Sequence, residues 1–391
     1  MKYTLAINMC YFSSMHLGGK DETAFNLLRG FEKNGVSKNT ICLCAKNMVD
    51  TIKQYAPSVH ICIVPQLYFN GIKIKGMNFV NQIIRNQFEK RWIEKNKENI
   101  GVFLYPNKPT APWKYEIPTV VIPHDIQVFE NRRLPGIEYP DKEYNKWTAS
   151  IIQDFKNRDH VIAISDFDKN AMIQYMPWAE SKIKRIYDPI YFEKMGDDFE
   201  KGNEYLTVLN IQWKHKNVET VIRAFALIAN QISQSLILVG KVPNDIDYLQ
   251  KLVADLGISD RVIFTGFVST QELDEIVKKT RIYINASYYE GFGMTAIEMM
   301  GRKIPTIVAR NTAMPEVTRG LCYYYEPTDD SHSLAQVILQ ELQNPQSPET
   351  LDAIAAEVKE AYSYDAIAKQ YWNFLLGCTK GNSYTGANVD V

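Results

Sequence analysis

Short runs of unbroken apolar residues recur along the chain, each closed by polar or turn residues. In the first half they are TLAINM (4–9), TICLCA (40–45), HICIVP (60–65), GVFLYP (101–106), PTVVIP (118–123) and HVIAIS (160–165). In the second half they are YLTVLN (205–210), SLILVG (235–240), RVIFTG (261–266), RIYINA (281–286) and PTIVAR (305–310). A strand with one wet face alternates apolar and polar residues. A run that is apolar throughout fits a strand buried on both faces, in a parallel sheet covered by helices. Between the runs the period changes. Val218, Val221, Ile222, Phe225 and Ile228 fall on one helical stripe, as do Phe25, Leu28 and Phe31, with Gly35 placed to stop that helix. Alternation of strand and helix in both halves predicts an α/β protein of two Rossmann-like, doubly wound domains.

The break between them falls near 187–204, where YDPIYFEKMGDDFEKGNEY mixes Pro, Gly and charge without period. This gives a first domain over 1–190, a second over 191–365, a helix over 366–378 packing back on the first domain, and a frayed polar tail over 379–391. A content of 46% hydrophobic and 23% charged residues supplies two cores and excludes a disordered or disulfide-dense chain. A formal charge of -1 argues against a nucleic-acid partner. The charge is uneven, however. Residues 1–190 carry 26 Lys and Arg against 19 Asp and Glu, and the remainder 18 against 26, so the halves are expected to meet different partners. The amino terminus shows no signal-cleavage pattern, and no apolar run approaches the ~18 residues of a membrane span. The cysteines have no metal spacing, and Cys10, Cys42, Cys44 and Cys62 sit in strand-like runs. A reduced, cytoplasmic protein is expected.

In open parallel sheets ligands gather at the carboxyl ends of strands, beside helix amino termini. The most informative such loop is ASYYEGFGMTAIEMMGRKIP, residues 286–305. Gly291 and Gly293 let the backbone approach a ligand, and the first helical turn offers N–H groups to an anion such as phosphate. Glu290 lies ahead of that helix and Glu298 about a turn inside it. An ionised carboxylate only accepts hydrogen bonds, which suits sugar hydroxyls; taken alone, Glu290 reads equally well as a solvated acid near a helix start.

EGFGMTAIE resembles the Glu-x7-Glu motif of the family 4 retaining glycosyltransferases, which have the two-domain GT-B fold with a central cleft. GRKIPTIVARNTAMPEV is similar to the stretch that follows the motif, and KHKNVETVIRAF to the Lys-Asn segment opening the second domain. VIPHDIQVF resembles the family's His-Asp loop, VIAISDFDKNAMIQY its Ser-capped helix, and HLGGKDETAFNLLRGF its glycine-rich loop and first helix. The resemblance spans roughly residues 5–345 and is most specific over 286–317.

The resemblance implies that Glu298 holds the ribose of a nucleotide-sugar donor. Glu290, with the N–H groups of Gly291, Phe292 and Gly293, would hold the transferred sugar, and Met294 and Thr295 would bring N–H groups to the diphosphate. Lys216 would neutralise that diphosphate, His124 would reach the sugar from the other domain, and Gly18 and Gly19 would make room for phosphate and acceptor. Val268 sits where the family holds the base. One departure stands out. The family commonly has Arg five residues before this Lys, where the chain has Ile211; Lys214 or His215 could substitute, without the fixed fork of Arg. Two Asp-x-Asp matches, Asp166–Asp168 and Asp245–Asp247, stand at expected helix starts next to Ser165 and Asn244. They read as complements of free N–H groups rather than metal ligands, and no metal or other cofactor is expected. His124, taken alone, reads as a hydrogen-bonded structural histidine.

The function implied is transfer of a sugar, with retention, from a UDP- or GDP-sugar to a glycan, lipid-linked or protein-linked acceptor in surface polysaccharide or glycoconjugate synthesis. Two rivals share the fold: a sugar-nucleotide epimerase or phosphorylase, and a non-catalytic nucleotide-sugar-binding partner of another transferase. Segment 73–97 adds a membrane question. It carries Lys73, Lys75, Arg85, Lys90, Arg91, Lys95 and Lys97 against Glu89 and Glu94, with Val80, Ile84, Phe88 and Trp92 every four residues. Such a helix either lies at an anionic membrane surface, making the protein peripheral, or packs its apolar stripe on the sheet.

Overall fold

The computed structural model describes residues 3–12, 18–67, 77–108, 110–124, 126–192 and 202–379. The strands of the first half are β1 (Tyr3–Asn8), β2 (Thr40–Cys44), β3 (His60–Ile63), β4 (Ile100–Tyr105), β5 (Thr119–Val121), β6 (His160–Ala163) and β7 (Ile183–Arg185). Those of the second half are β8 (Tyr205–Leu209), β9 (Ser235–Val239), β10 (Val262–Gly266), β11 (Thr280–Asn285), β12 (Thr306–Ala309) and β13 (Tyr323–Tyr325). The helices begin with α1 (Gly19–Lys33), α2 (Val49–Tyr55), α3 (Met77–Asn96), α4 (Gln127–Glu130), α5 (Asp141–Asn157) and α6 (Asp166–Tyr175). They continue with α7 (Val218–Ile228), α8 (Ile246–Asp255), α9 (Thr270–Lys278) and α10 (Met294–Gly301). The last four are α11 (Met314–Val317), α12 (Ser331–Gln343), α13 (Pro348–Tyr362) and α14 (Tyr364–Gly377).

The chain forms two compact units. One comprises Met1–Ile126, Asp141–Tyr191 and Tyr362–Val391; the other comprises Gln127–Pro140 and Phe192–Ala361. The limits expected from sequence, 190 and 365, took no account of the short excursion at Gln127–Pro140, which groups with the second unit. The first unit holds a sheet of order β3-β2-β1-β4-β5-β6-β7 and the second one of order β10-β9-β8-β11-β12-β13. Every neighbouring pair is parallel, as the unbroken apolar runs require. In the first sheet the order reverses between β1 and β4, and in the second between β8 and β11. At such switch points the strand-to-helix loops diverge and leave a crevice.

The apolar runs all carry strands. Two strands were not legible: β7 and β13 have three residues each and lie at sheet edges, where IKR and YYY offer no run to read. The stripe of α7 is buried as its period predicts, Val221, Ile222 and Phe225 all at 0% exposure, against Leu206, Leu238 and Ile284. Burying each such side chain contributes about 1.5–3 kcal/mol.

Helix α14 lies in the first unit against α1, and the contact depends on one glycine. A Cβ built on Gly30 would stand 2.3 Å from Ala368 Cβ and 2.6 Å from the Tyr364 carbonyl oxygen. Gly30→Ala should therefore lower stability by about 1–3 kcal/mol despite alanine's better helix propensity, because backbone cannot give way as a flexible side chain can. Chemical denaturation reads this directly, and an unchanged midpoint would place α14 elsewhere.

The apolar stripe of α3 is divided: Ile84, Phe88 and Trp92 are half-buried, and the residues at the helix start face outward. Phe79, Val80 and Ile83 are 66%, 43% and 46% exposed, whereas Asn81, Glu89 and Ile93 are buried. Lys73 and Lys75 lie outside the described residues. The acid is tolerated because its donors are in place: Asn8 Nδ2 at 2.5 Å, the Tyr115 hydroxyl at 2.8 Å and the Tyr105 hydroxyl. Burial raises the Glu89 carboxyl above its usual range, opposed by those bonds and by the buried Arg158. Asn8 and Tyr105 end β1 and β4, so this polar cluster lies at the first sheet's switch point.

Candidate active site

The second switch point carries the chemistry. β8 runs out at Leu209, and the chain then turns twice through left-handed residues, Asn210 at φ 62° and Asn217 at φ 54°. Between them a single 3-10 turn holds Lys214–Lys216. Asn217 is pinned by Thr220 and by the Thr328 carbonyl, which fixes where Lys216 starts from. On the neighbouring strand, β11 ends at Asn285 and the loop reaches Glu290. Lys216 Nζ and Glu290 Oε1 meet at 2.6 Å, with side chains 15% and 12% exposed.

Two further donors converge on the same oxygen, Ser287 Oγ at 2.8 Å and Asn285 Nδ2 at 3.1 Å. Burial by itself would raise the Glu290 carboxyl, but the Lys216 ammonium outweighs it, helped by His215 and Ser287, and the group is held below its usual range. Glu290 is therefore an acceptor at neutral pH. Its backbone N–H donates to Thr312 Oγ1 at 3.2 Å, and Thr312 itself stands at φ 47°.

Just past Glu290 the chain enters α10 through Gly293, whose φ of 83° demands glycine. No side chain caps this helix start. Within the helix the N–H groups of Met294 and Thr295 have no acceptor one turn back and present a partial positive charge, whereas that of Ala296 donates to the Gly293 carbonyl at 3.0 Å. The Thr295 hydroxyl lies 2.8 Å from that of Tyr283, and Phe292 is buried, so it offers only its backbone. Glu298 stands half-buried in α10, near enough to act electrostatically on Tyr283.

Within the second unit, Lys214, Ile211 and Val268 stand outside this cluster. Lys214 meets Asp245 Oδ2 at 3.3 Å on the exposed side, so Asp245 occupies the N-cap of α8 without a capping bond. Both Asp-x-Asp pairs thus stand at helix starts as expected, although Asp245 makes no capping bond; Asp168 lies in the first turn of α6, its N–H donating to Ser165 Oγ at 3.0 Å. Ile211 is buried in the apolar core and offers a ligand no charge. Val268 follows β10, the edge strand two positions from β8, or roughly 10 Å at the usual strand spacing. In the first unit, Gly18 (φ 143°) and Gly19 open α1, with no atom of the described residues within 4 Å of a Cβ built on either. His124 adopts φ 65° and bonds the Pro106 carbonyl through Nε2 at 2.7 Å, so Nε2 carries the proton; Asp125 lies outside the described residues. Sequence reasoning missed Tyr283, Asn285, Ser287 and Thr312. A polar residue closing an apolar run, as Asn285 does in RIYINA, was the available signal.

Comparison with known proteins follows the same lines. Residues 194–358 match the family model for glycosyl transferases group 1. The chain is 25% identical over 224 residues to the serotype-specific mannosyltransferase WbdA of Escherichia coli, a match covering 53% of this chain and 26% of WbdA. It is 28% identical over 254 residues to the O-antigen chain mannosyltransferase RfbU of Salmonella typhimurium, covering 64% of this chain and 67% of RfbU. Anabaena HepE, solved in complex with UDP-glucose, superposes with a TM-score of 0.68 at 15% identity, over 95% of this chain and 99% of that one.

Proposed function

Because this chain is a group 1 glycosyl transferase of GT-B fold, we propose that it moves a sugar, with retention, from a UDP- or GDP-sugar to a carbohydrate or lipid-linked acceptor in surface polysaccharide synthesis. The observation that carries this reading is the Lys216–Glu290 pair beside the uncapped start of α10. A cation and a helix amino terminus are what a departing diphosphate needs. An ionised carboxylate next to them is what a sugar hydroxyl needs. Glu298 takes the ribose, the backbone at Gly291–Gly293 the sugar, and Val268 the base. The complex of HepE with UDP-glucose and the mannosyltransferase relatives favour a hexose donor.

A screen of UDP-, GDP- and dTDP-sugars for thermal stabilisation tests the reading. A true donor at ~100 times its dissociation constant adds about 2.7 kcal/mol. With Lys216 and helix N–H groups as counter-charge, the stabilisation should persist in EDTA. A chain stabilised by none of these sugars would not be a transferase of this kind.

The acceptor side is read from α3. Among the described residues no helix is long and apolar enough to cross a membrane. Phe79, Val80 and Ile83 nevertheless face outward on a basic helix, the arrangement of a segment seated at an anionic surface. Each basic residue near such a surface contributes about 1 kcal/mol. Changing Lys90, Arg91 and Lys95 together to Glu should abolish co-sedimentation with anionic vesicles at low salt. Equal binding by wild type and triple variant would point to a soluble acceptor.

A further inference from the structure

Beneath Glu290 runs a line of buried polar side chains that the roles above leave unused. Strand β11 alternates: Ile282 and Ile284 enter the apolar core, and Tyr283 and Asn285 take the opposite face. Tyr283 is 1% exposed, Asn285 5% and Ser287 2%. Polar groups buried this deeply cost stability unless their partners are fixed. Here they are. The Tyr283 hydroxyl lies 2.8 Å from Thr295 Oγ1, in the first turn of α10, and Asn285 follows two residues on, on the same face of β11. Asn285 donates to Glu290 Oε1 at 3.1 Å and accepts the Ser287 N–H at Oδ1, also at 3.1 Å. Ser287 Oγ then returns to the same Glu290 oxygen at 2.8 Å.

This line joins the turn that offers N–H groups to a diphosphate with the carboxylate that faces a sugar. We propose that Tyr283 and Asn285 are positioning residues of the donor site, an inference that rests on the donor reading above. Three donors on Oε1 use the acceptor capacity of that atom, which turns Oε2 toward the sugar as the single acceptor in a fixed direction. A Lys–Glu pair alone would not fix it, since a flexible ammonium follows a carboxylate through many orientations. Asn285 and Ser287 remove that freedom, and Tyr283 sets the first turn of α10 at a constant height against it.

Calorimetry on the full chain separates the two ends, with UDP against UDP-glucose and GDP against GDP-mannose as probe pairs. With the pair that binds the wild type, Asn285→Ala should weaken the nucleotide sugar about tenfold, the loss of one charge-assisted bond. Affinity for the free diphosphate should stay within about threefold. Ser287→Ala, which removes another donor to the same oxygen and little volume, should show the same selective loss. Tyr283→Phe should weaken both ligands, and combining it with Asn285→Ala should cost less than the two losses added, because they share one network. Equal loss of diphosphate and nucleotide sugar in both Asn285→Ala and Ser287→Ala, or no loss in either, would overturn the positioning role while leaving the donor site standing. A wild type that binds neither pair would overturn the donor reading and the inference with it.

Discussion

Lys216→Met should unfold about 2–3 kcal/mol more easily than the wild type at pH 7, because it leaves the Glu290 carboxylate largely buried without its cation. A fully buried pair would cost about 3–5 kcal/mol; the residual exposure of both side chains moderates the loss. Under the proposed donor role the same variant should also lose most transfer activity, since Lys216 would be the counter-charge of the diphosphate. The pH dependence is signed. In the wild type the Glu290 carboxyl is held below its ordinary 4.5, so its contribution is present above that pH and lost as pH falls through the lower native value. In Lys216→Met burial acts with the ammonium gone, the carboxyl titrates above its ordinary value, and protonation relieves the native state. The stability deficit should accordingly shrink between pH 7 and pH 5, and Lys216→Met/Glu290→Gln should be more stable at pH 7 than Lys216→Met. A deficit equal at both pH values would mean that the pair contributes nothing electrostatic.

Glu298→Ala should weaken the nucleotide sugar and the free nucleoside diphosphate alike, by about 1.5–3 kcal/mol or roughly 10- to 150-fold, since the ribose is common to both. Its signature differs from that of Asn285→Ala, which spares the diphosphate. Its folding cost should be small, because Glu298 stands half-buried on a helix face. Unchanged diphosphate affinity would remove Glu298 from the ribose.

The two parallel sheets were legible because burial on both faces leaves its mark in every residue of a strand. Strands β7 and β13 left no such mark: each is three residues at an edge, paired on one side only. The burial of Glu89 in α3 was not legible for another reason. A period counts apolar residues, and Glu89 is buried through donors 81, 16 and 26 positions away in the chain, none visible to a local window. At the site, the resemblance supplied Glu290 and Lys216 as separate ligands. That they hold each other across 74 positions follows from the adjacency of β8 and β11, and only topology gives that.

The excursion at Gln127–Pro140 bears on how relatives of this chain can be recombined. Gly136, at φ 66°, stands against Lys214, with the side-chain Cε 3.2 Å from where its Cβ would be. The chain therefore passes between its two units at four places, 126/127, 140/141, 191/192 and 361/362. A hybrid spliced only at the last two would graft a foreign second unit onto a native 127–140, and the grafted counterpart of Lys214 would meet a loop selected for another neighbour. Viable hybrids of this protein have four junctions, and a gene-shuffling library with two should be enriched in survivors that kept the parental turn at 214–216.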